Sequence, residues 1–268
     1  MTELNARSAD GTIISAESYG RGAPLVIISG ALFARERWLS VVSLFAKERD
    51  PIVVDRRGRG RSGNTLPYAP EREIEDVLAV LAAIQGPVDL LGHSSGAILA
   101  LQAANRVPPN LARLVIYEPP VFFGEADGIT HDLPERLDAL LAAGDGAGAV
   151  TTFLREGPRS SERELQAMQA APYFPQMVST FAHTVPYDSR IQRSFHASPE
   201  ELAHINVSTL CLIGSASTPR LQGGARTVAS RVPNAQLKEL PGQEHVAQLS
   251  APTLFATTVN DFLSRTPH

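Results

Sequence analysis

Apolar residues fall into two patterns along this chain. The first is the short continuous run: Leu25-Val26-Ile27-Ile28, Ile52-Val53-Val54-Asp55, Pro87-Val88-Asp89-Leu90-Leu91, Leu114-Val115-Ile116-Tyr117 and Leu210-Cys211-Leu212-Ile213, with Gln236-Leu237-Lys238-Glu239-Leu240 reading as a further, more polar strand. Runs of this length, bounded by turn residues, predict strands buried on both faces. The second pattern is helical spacing. Ile74, Val77, Leu78, Leu81 and Ile84 share one helical face between Glu71 and Ile84. Helices are also predicted from about Glu36 to Lys47, over Ala97 to Ala104, from about Leu221 to Val232 and from Thr253 to Leu263. Gly11 to Tyr19 alternates as an edge hairpin does. Strands alternating with helices predict an α/β fold, a mostly parallel twisted sheet with helices on both faces.

That rhythm stops between about Val121 and Asn206. Helical pieces are predicted there over Leu133–Leu141, Ala149–Glu156, Glu162–Ala170 and Phe174–His183, with no strand. Large apolar side chains collect in this stretch, among them Phe122, Phe123, Tyr173, Phe174, Met177, Phe181 and Tyr187. The pattern predicts a helical cap, residues 121–206, inserted into a core made of residues 1–120 and 207–268. Phe122, Phe123, Phe174, Met177 and Phe181 are candidate pocket walls.

The chemistry begins at Gly92-His93-Ser94-Ser95-Gly96, which sits between a predicted strand and a predicted helix. Gly-x-Ser-x-Gly at such a switch is a nucleophile elbow. The tight turn strains the serine backbone. The flanking glycines let strand and helix approach without a Cβ clash. The hydroxyl of Ser94 is left standing above a helix N-terminus that favours negative charge. A serine hydroxyl at neutral pH still needs a base.

The elbow, the turn Asp55-Arg56-Arg57-Gly58-Arg59-Gly60-Arg61-Ser62-Gly63 and the turn Pro241-Gly242-Gln243-Glu244-His245 together resemble the α/β-hydrolase fold family. The likeness covers nearly the whole chain outside the cap. It is closest to a small bacterial branch with Tyr117-Glu118-Pro119-Pro120 after the strand that follows the elbow helix. The resemblance implies that the base is His245, after the last strand. The common family pattern puts an aspartate after the strand that follows the cap. Here that loop reads Gly214-Ser215-Ala216-Ser217-Thr218-Pro219, with Ser217 about where the aspartate would stand. Glu118 is the expected acid instead, as in certain haloalkane dehalogenases and the zearalenone lactonases. Glu244, a sequence neighbour of His245, is a weaker alternative. The implied oxyanion donors are the backbone N–H groups of Ser95 and Ala31, with Leu32 and Phe33 lining the pocket beside them. His93 is expected to point off the reactive face.

Composition narrows the partners. The 268 residues are 43% hydrophobic and 19% charged, with a formal net charge of −4. Such mild acidity gives no footprint for nucleic acid or an anionic membrane. The single cysteine, Cys211, lies in an apolar run and reads as a buried small hydrophobe. The first residues lack the apolar core of a signal peptide, and the expected location is cytoplasmic. No metal-ligand spacing occurs, and no cofactor is expected. Gly58-x-Gly60-x-x-Gly63 does not open directly into a helix, which argues against a nucleotide site. The arginines of that turn are expected to cover and pair across loops rather than bind an anion.

The expected function is a cofactor-free serine hydrolase acting on an ester or lactone of a mostly apolar small molecule. Its cap offers aromatic and aliphatic walls without an obvious charged clamp. Carbon–carbon hydrolysis and metal-free perhydrolysis use the same constellation. A ligand-binding protein without turnover and a purely structural module are competing classes. The oligomeric state, monomer or dimer, stays open at this point.

Overall fold

A computed structural model describes residues 1–121, 131–160 and 162–265. Its centre is an eight-stranded sheet in the order β1-β2-β4-β3-β5-β6-β7-β8. The strands are β1 Thr2–Arg7, β2 Ile13–Ser18, β3 Ala23–Ile28, β4 Arg49–Val54, β5 Val88–His93, β6 Leu111–Tyr117, β7 Ser208–Gly214 and β8 Ala235–Leu240. From β4 across to β8 the pairings are parallel, while β1 and β2 join antiparallel. The apolar runs are the inner strands: β5 is buried at every position and β3 over its last four. β1 departs from the expected pattern. Its polar sequence, Thr-Glu-Leu-Asn-Ala-Arg, buries only Ala6, as an edge strand with one wet face allows.

Helices cover both faces. On one lie α2 (Pro70–Ala82) and α3 (Ser95–Asn105), packed through Ile74, Val77, Leu81, Ile98 and Leu101 against Val26, Ile28 and Leu90. On the other lie α1 (Leu39–Phe45) and α12 (Pro252–Leu263), where Val41, Phe45, Phe255 and Val259 meet Ile27, Leu91 and Tyr117. The helix predicted from Glu36 to Lys47 is a 3-10 turn, Arg35–Trp38, followed by α1. α10 (Pro219–Arg231) and the short α11 (Ala247–Ser250) complete the layers.

Between β6 and β7 the described chain forms α4 (Leu133–Ala142), α5 (Gly146–Glu156), α6 (Glu162–Gln169), α7 (Phe174–Phe181), α8 (Val185–Ser194) and α9 (Pro199–Leu202). This segment has its own apolar cluster, built on Leu137, Val150, Phe153, Phe174, Phe181 and Val185. α8 and α9 were not foreseen. The reason is physical: α8 buries Asp188, Ser189 and Gln192 as well as Val185, Pro186 and Ile191, so its inward face is half polar. No helix among the described residues is long and apolar enough to cross a membrane.

Candidate active site

The loops at the carboxyl ends of β3, β5, β6 and β8 open into one cavity of about 380 Å³. Ser94 is the first residue beyond β5. Its backbone stands at φ 55, ψ −127, an unfavourable region for a residue with a Cβ that costs on the order of 1–3 kcal/mol. Close packing holds it there. A Cβ on Gly96 would lie 2.3 Å from the Ile28 carbonyl oxygen, and one on Gly30 would lie 2.7 Å from the Ser94 Cβ. Only glycine lets α3 begin directly against the end of β3.

His245 and Glu118 come together from loops far apart in sequence. His245 Nδ1–H donates to Glu118 Oε2 at 2.7 Å. The other carboxylate oxygen accepts the Gly214 N–H at 2.7 Å. Glu118 is fully buried and adopts a positive φ of 46°. One carboxylate thus spans from the end of β6 to the end of β7, the strand whose following loop carries no acid. This bond fixes the tautomer that leaves His245 Nε2 free to accept a proton. Ser94 and His245 line the same cavity without a direct hydrogen bond, the loose arrangement common before substrate binds. Glu244 stays exposed, and its backbone carbonyl accepts from the Tyr117 hydroxyl.

The N–H groups of Ala31 and Ser95 have no protein acceptor among the described residues. Ser29 supports the first of these loops, because its hydroxyl accepts the Trp38 indole N–H at 2.8 Å. Leu32, next to Ala31, takes a positive φ of 58°.

His93 departs from expectation. Instead of pointing away, it borders the cavity beneath the other histidine, the two ring centres 4.7 Å apart. Its Nε2–H donates to the His245 backbone carbonyl at 2.9 Å, so it braces the loop that carries the candidate base. Burial, with the nearby His245 adding to it, holds the His93 pKa well below the ordinary histidine value.

The pocket walls correct the sequence reading in part. Leu32, Phe33 and Met177 line the cavity, joined by Phe153, Leu154, Met168, Tyr173 and Leu221. Phe174 and Phe181 do not line it; they turn into the apolar cluster between β6 and β7. Phe122 and Phe123 lie outside the described residues. The lining is also less apolar than foreseen, since Arg37, Arg159, Glu164 and Glu244 reach it. Arg37 packs over the Phe33 ring, its guanidinium carbon 4.8 Å from the ring centre.

The arginine turn after β4 is an ion-pair lattice. Arg57 pairs with Asp10 and Asp76, and Arg56 with Glu73 and Asp188. Arg59 pairs with Asp188 at 2.6 Å, while Arg61 stays in solvent 3.5 Å from Glu3. Asp188 escaped the sequence reading. The signal for it was indirect: three closely spaced arginines facing inward require carboxylates, and a polar helix supplies one.

A family model described as the alpha/beta hydrolase family matches residues 25–258. A solved alpha/beta hydrolase from Sphaerobacter thermophilus is 37% identical, covering 97% of this chain and 100% of that one, with a TM-score of 0.89. An N-formylmaleamate deformylase from Pseudomonas putida is 34% identical over 127 residues, 46% of this chain and 47% of its own length. A 2-hydroxy-6-oxo-2,4-heptadienoate hydrolase from Pseudomonas putida is 28% identical over 151 residues, 52% of each chain. The chain therefore spans about half the length of each of these two curated relatives in its match.

Proposed function

Since the chain belongs to the alpha/beta hydrolase family, we propose that it is a cofactor-free serine hydrolase whose working groups are Ser94, His245 and Glu118. The observation that carries this reading is the bond from His245 Nδ1 to the buried Glu118 carboxylate, in the cavity where Ser94 sits on its strained elbow. His245 Nε2 takes the Ser94 proton as Oγ attacks a carbonyl carbon. The Ala31 and Ser95 N–H groups receive the developing oxyanion, each worth about 3 kcal/mol of transition-state stabilisation. His245 then protonates the leaving group. Water, deprotonated by the same imidazole, releases the acyl group from Ser94. Glu118 stabilises the imidazolium throughout without itself taking the proton. The helices between β6 and β7 act as the cap that walls the cavity.

The proposed substrate is a small ester or lactone. The cavity volume suits a small molecule, and Leu32, Phe33, Phe153, Leu154, Met168 and Met177 offer it an apolar surface. The relatives favour a second reading. A hydroxy-oxo-heptadienoate has no ester or amide linkage, so its hydrolysis breaks a carbon–carbon bond, and a deformylase removes a formyl group. The same residues serve these reactions once the nucleophile meets a ketone or formyl carbon.

A substrate panel tests both readings. p-Nitrophenyl esters, lactones, N-formyl amides and dienoate diketones are assayed with Ser94→Ala as the control. Turnover of esters or lactones that vanishes in Ser94→Ala supports the first reading. Turnover confined to the other two classes would replace it with the second. No turnover of any class, with no covalent labelling by a fluorophosphonate, would leave a binding protein.

A further inference from the structure

A single guanidinium touches both chain segments that carry the oxyanion donors. Arg56 Nη1 donates to the Ser29 backbone carbonyl at 3.2 Å, two residues before Ala31. It also reaches Ser95 Oγ at 3.1 Å and Asp188 Oδ1 at 2.8 Å. The Ser95 hydroxyl donates to Asp188 Oδ1 at 2.7 Å. Arg56 is held from behind by Glu73, at 2.8 and 3.1 Å, and Asp188 by Arg59 at 2.6 Å. All five side chains are buried, with Ser95 and Asp188 fully so.

Asp188 belongs to α8, in the inserted helical segment, while Ser29 and Arg56 belong to the loops after β3 and β4 and Ser95 opens α3. We propose that Arg56 and Asp188 are positioning residues for the oxyanion site, and that the seating of α8 through Asp188 sets its geometry. This rests on the serine-hydrolase reading above and adds to it a link from the cap to the transition state.

Two physical arguments favour this over a purely structural role. First, burying four charges carries a desolvation cost that a hydrophobic packing of the same volume avoids, so such lattices are poor sources of stability. What they supply is direction, because each guanidinium fork admits few geometries. Here the directed atoms are those beside Ala31 and Ser95. Second, an aspartate this close to the Ser95 N–H opposes a developing oxyanion unless neutralised. Arg56 and Arg59 offset that charge together with the charge of Glu73, which pairs with both arginines, so the four groups sum to zero. Burial on its own would raise the Asp188 pKa, yet the two arginines and the Ser95 hydroxyl hold it below the usual carboxylate value, so the group stays ionised and bonded.

The test uses the whole chain, with Ser95→Ala and Asp188→Asn. Ser95→Ala keeps the backbone donor and the Arg56–Asp188 pair and removes only the hydroxyl between them. The readouts are kcat and KM for p-nitrophenyl butyrate, the affinity for phenylboronic acid, the pH profile of kcat/KM and the thermal midpoint. A boronate forms a tetrahedral adduct on Ser94 and places an anionic oxygen in the hole.

The expected result is that Ser95→Ala lowers kcat by about 10-fold and weakens the boronate by a similar factor, because a misaimed donor forfeits part of its contribution. KM stays within about 2-fold and the pH profile does not move, because substrate contacts and the His245–Glu118 bond are untouched. Asp188→Asn shows a larger loss of the same kind. A lower thermal midpoint with kcat and boronate affinity unchanged overturns the proposal. So does a fall in kcat that leaves boronate binding intact. Should Asp188→Asn fail to fold, Ser95→Ala decides alone. An unmodified chain with neither turnover nor boronate binding would overturn the hydrolase reading and this inference with it. An active chain with an unaffected Ser95→Ala overturns only the inference.

Discussion

Replacing Glu118 by glutamine keeps the shape of the side chain and removes its charge. The consequences follow from its two bonds. Both Oε atoms accept: one from Gly214 N–H, the other from His245 Nδ1–H, each at 2.7 Å. An amide has one acceptor and one donor end. The Gly214 N–H is fixed by the backbone and needs an acceptor, so the amide oxygen faces it. The NH2 group then faces His245 Nδ1, which must lose its proton to accept. The ring is left with its hydrogen on Nε2, where it cannot take the Ser94 proton. The loss of this orienting charge in triads of this kind is about 10⁴-fold in kcat, or some 5 kcal/mol. The assay is steady-state turnover of the best ester from the panel, with kcat read separately from KM. A loss of about 10³- to 10⁴-fold with KM little changed is the expected outcome. The double variant Glu118→Gln/Ser217→Asp extends the test. Ser217 borders the cavity at the end of β7, and its hydroxyl is buried without a partner among the described residues. An aspartate there is expected to recover part of the rate. Normal turnover in Glu118→Gln would refute the reasoning and move the acid elsewhere.

Other consequences are simpler to state. Gly96→Ala places a methyl group 2.3 Å and 2.5 Å from the carbonyl oxygens of Ile28 and Ser29, so α3 must retreat. Thermal unfolding is expected to show a lower midpoint, and the ester assay a loss of turnover; a native midpoint would contradict the packing account. His93 links stability to pH, because its folded pKa lies well below the unfolded value. Below about pH 6.5 the unfolded chain binds a proton that the native state refuses, so stability is lost as pH falls, by about 1.4 kcal/mol per unit. Urea unfolding at about pH 7 and about pH 5 is expected to show this loss in the native sequence and a shallower one in His93→Gln. Equal slopes would show that His93 does not resist protonation. Met177→Ala enlarges the cavity that Met177 lines, and a chain-length series of p-nitrophenyl esters is expected to shift toward longer acyl groups.

How much of this was legible in the amino-acid sequence depended on whether burial was apolar. β3, β4, β5, β6 and β7 announce themselves because a parallel sheet buries both faces of each strand. The elbow was legible because close approach of helix and strand demands glycine at 92 and 96, and the structure shows the Cβ clashes that enforce it. The Glu118–His245 pairing was what the family resemblance implied once the loop between Gly214 and Pro219 was seen to lack a carboxylate, and the neighbouring strands β6 and β7 put the two side chains within reach. What stayed hidden was polar burial. α8 carries no strong apolar stripe, so neither the helix nor Asp188 stood out, and the use of Arg56 at the oxyanion loops went unseen with them. β1 was hidden for the related reason that its outer face is solvated. Phe174 and Phe181 misled the pocket assignment because large apolar residues in an inserted helical segment must first build that segment's own core.

The central claim is that Ser94 becomes covalently acylated during turnover. Rapid acid quench of the chain mixed with p-nitrophenyl butyrate, followed by mass spectrometry of the peptide containing Ser94, measures this directly. The account predicts a butyryl adduct on Ser94 that forms with the first burst of p-nitrophenol and is absent in Ser94→Ala. Turnover of the ester with an unmodified Ser94 peptide at every time point, or an undiminished rate in Ser94→Ala, would contradict it.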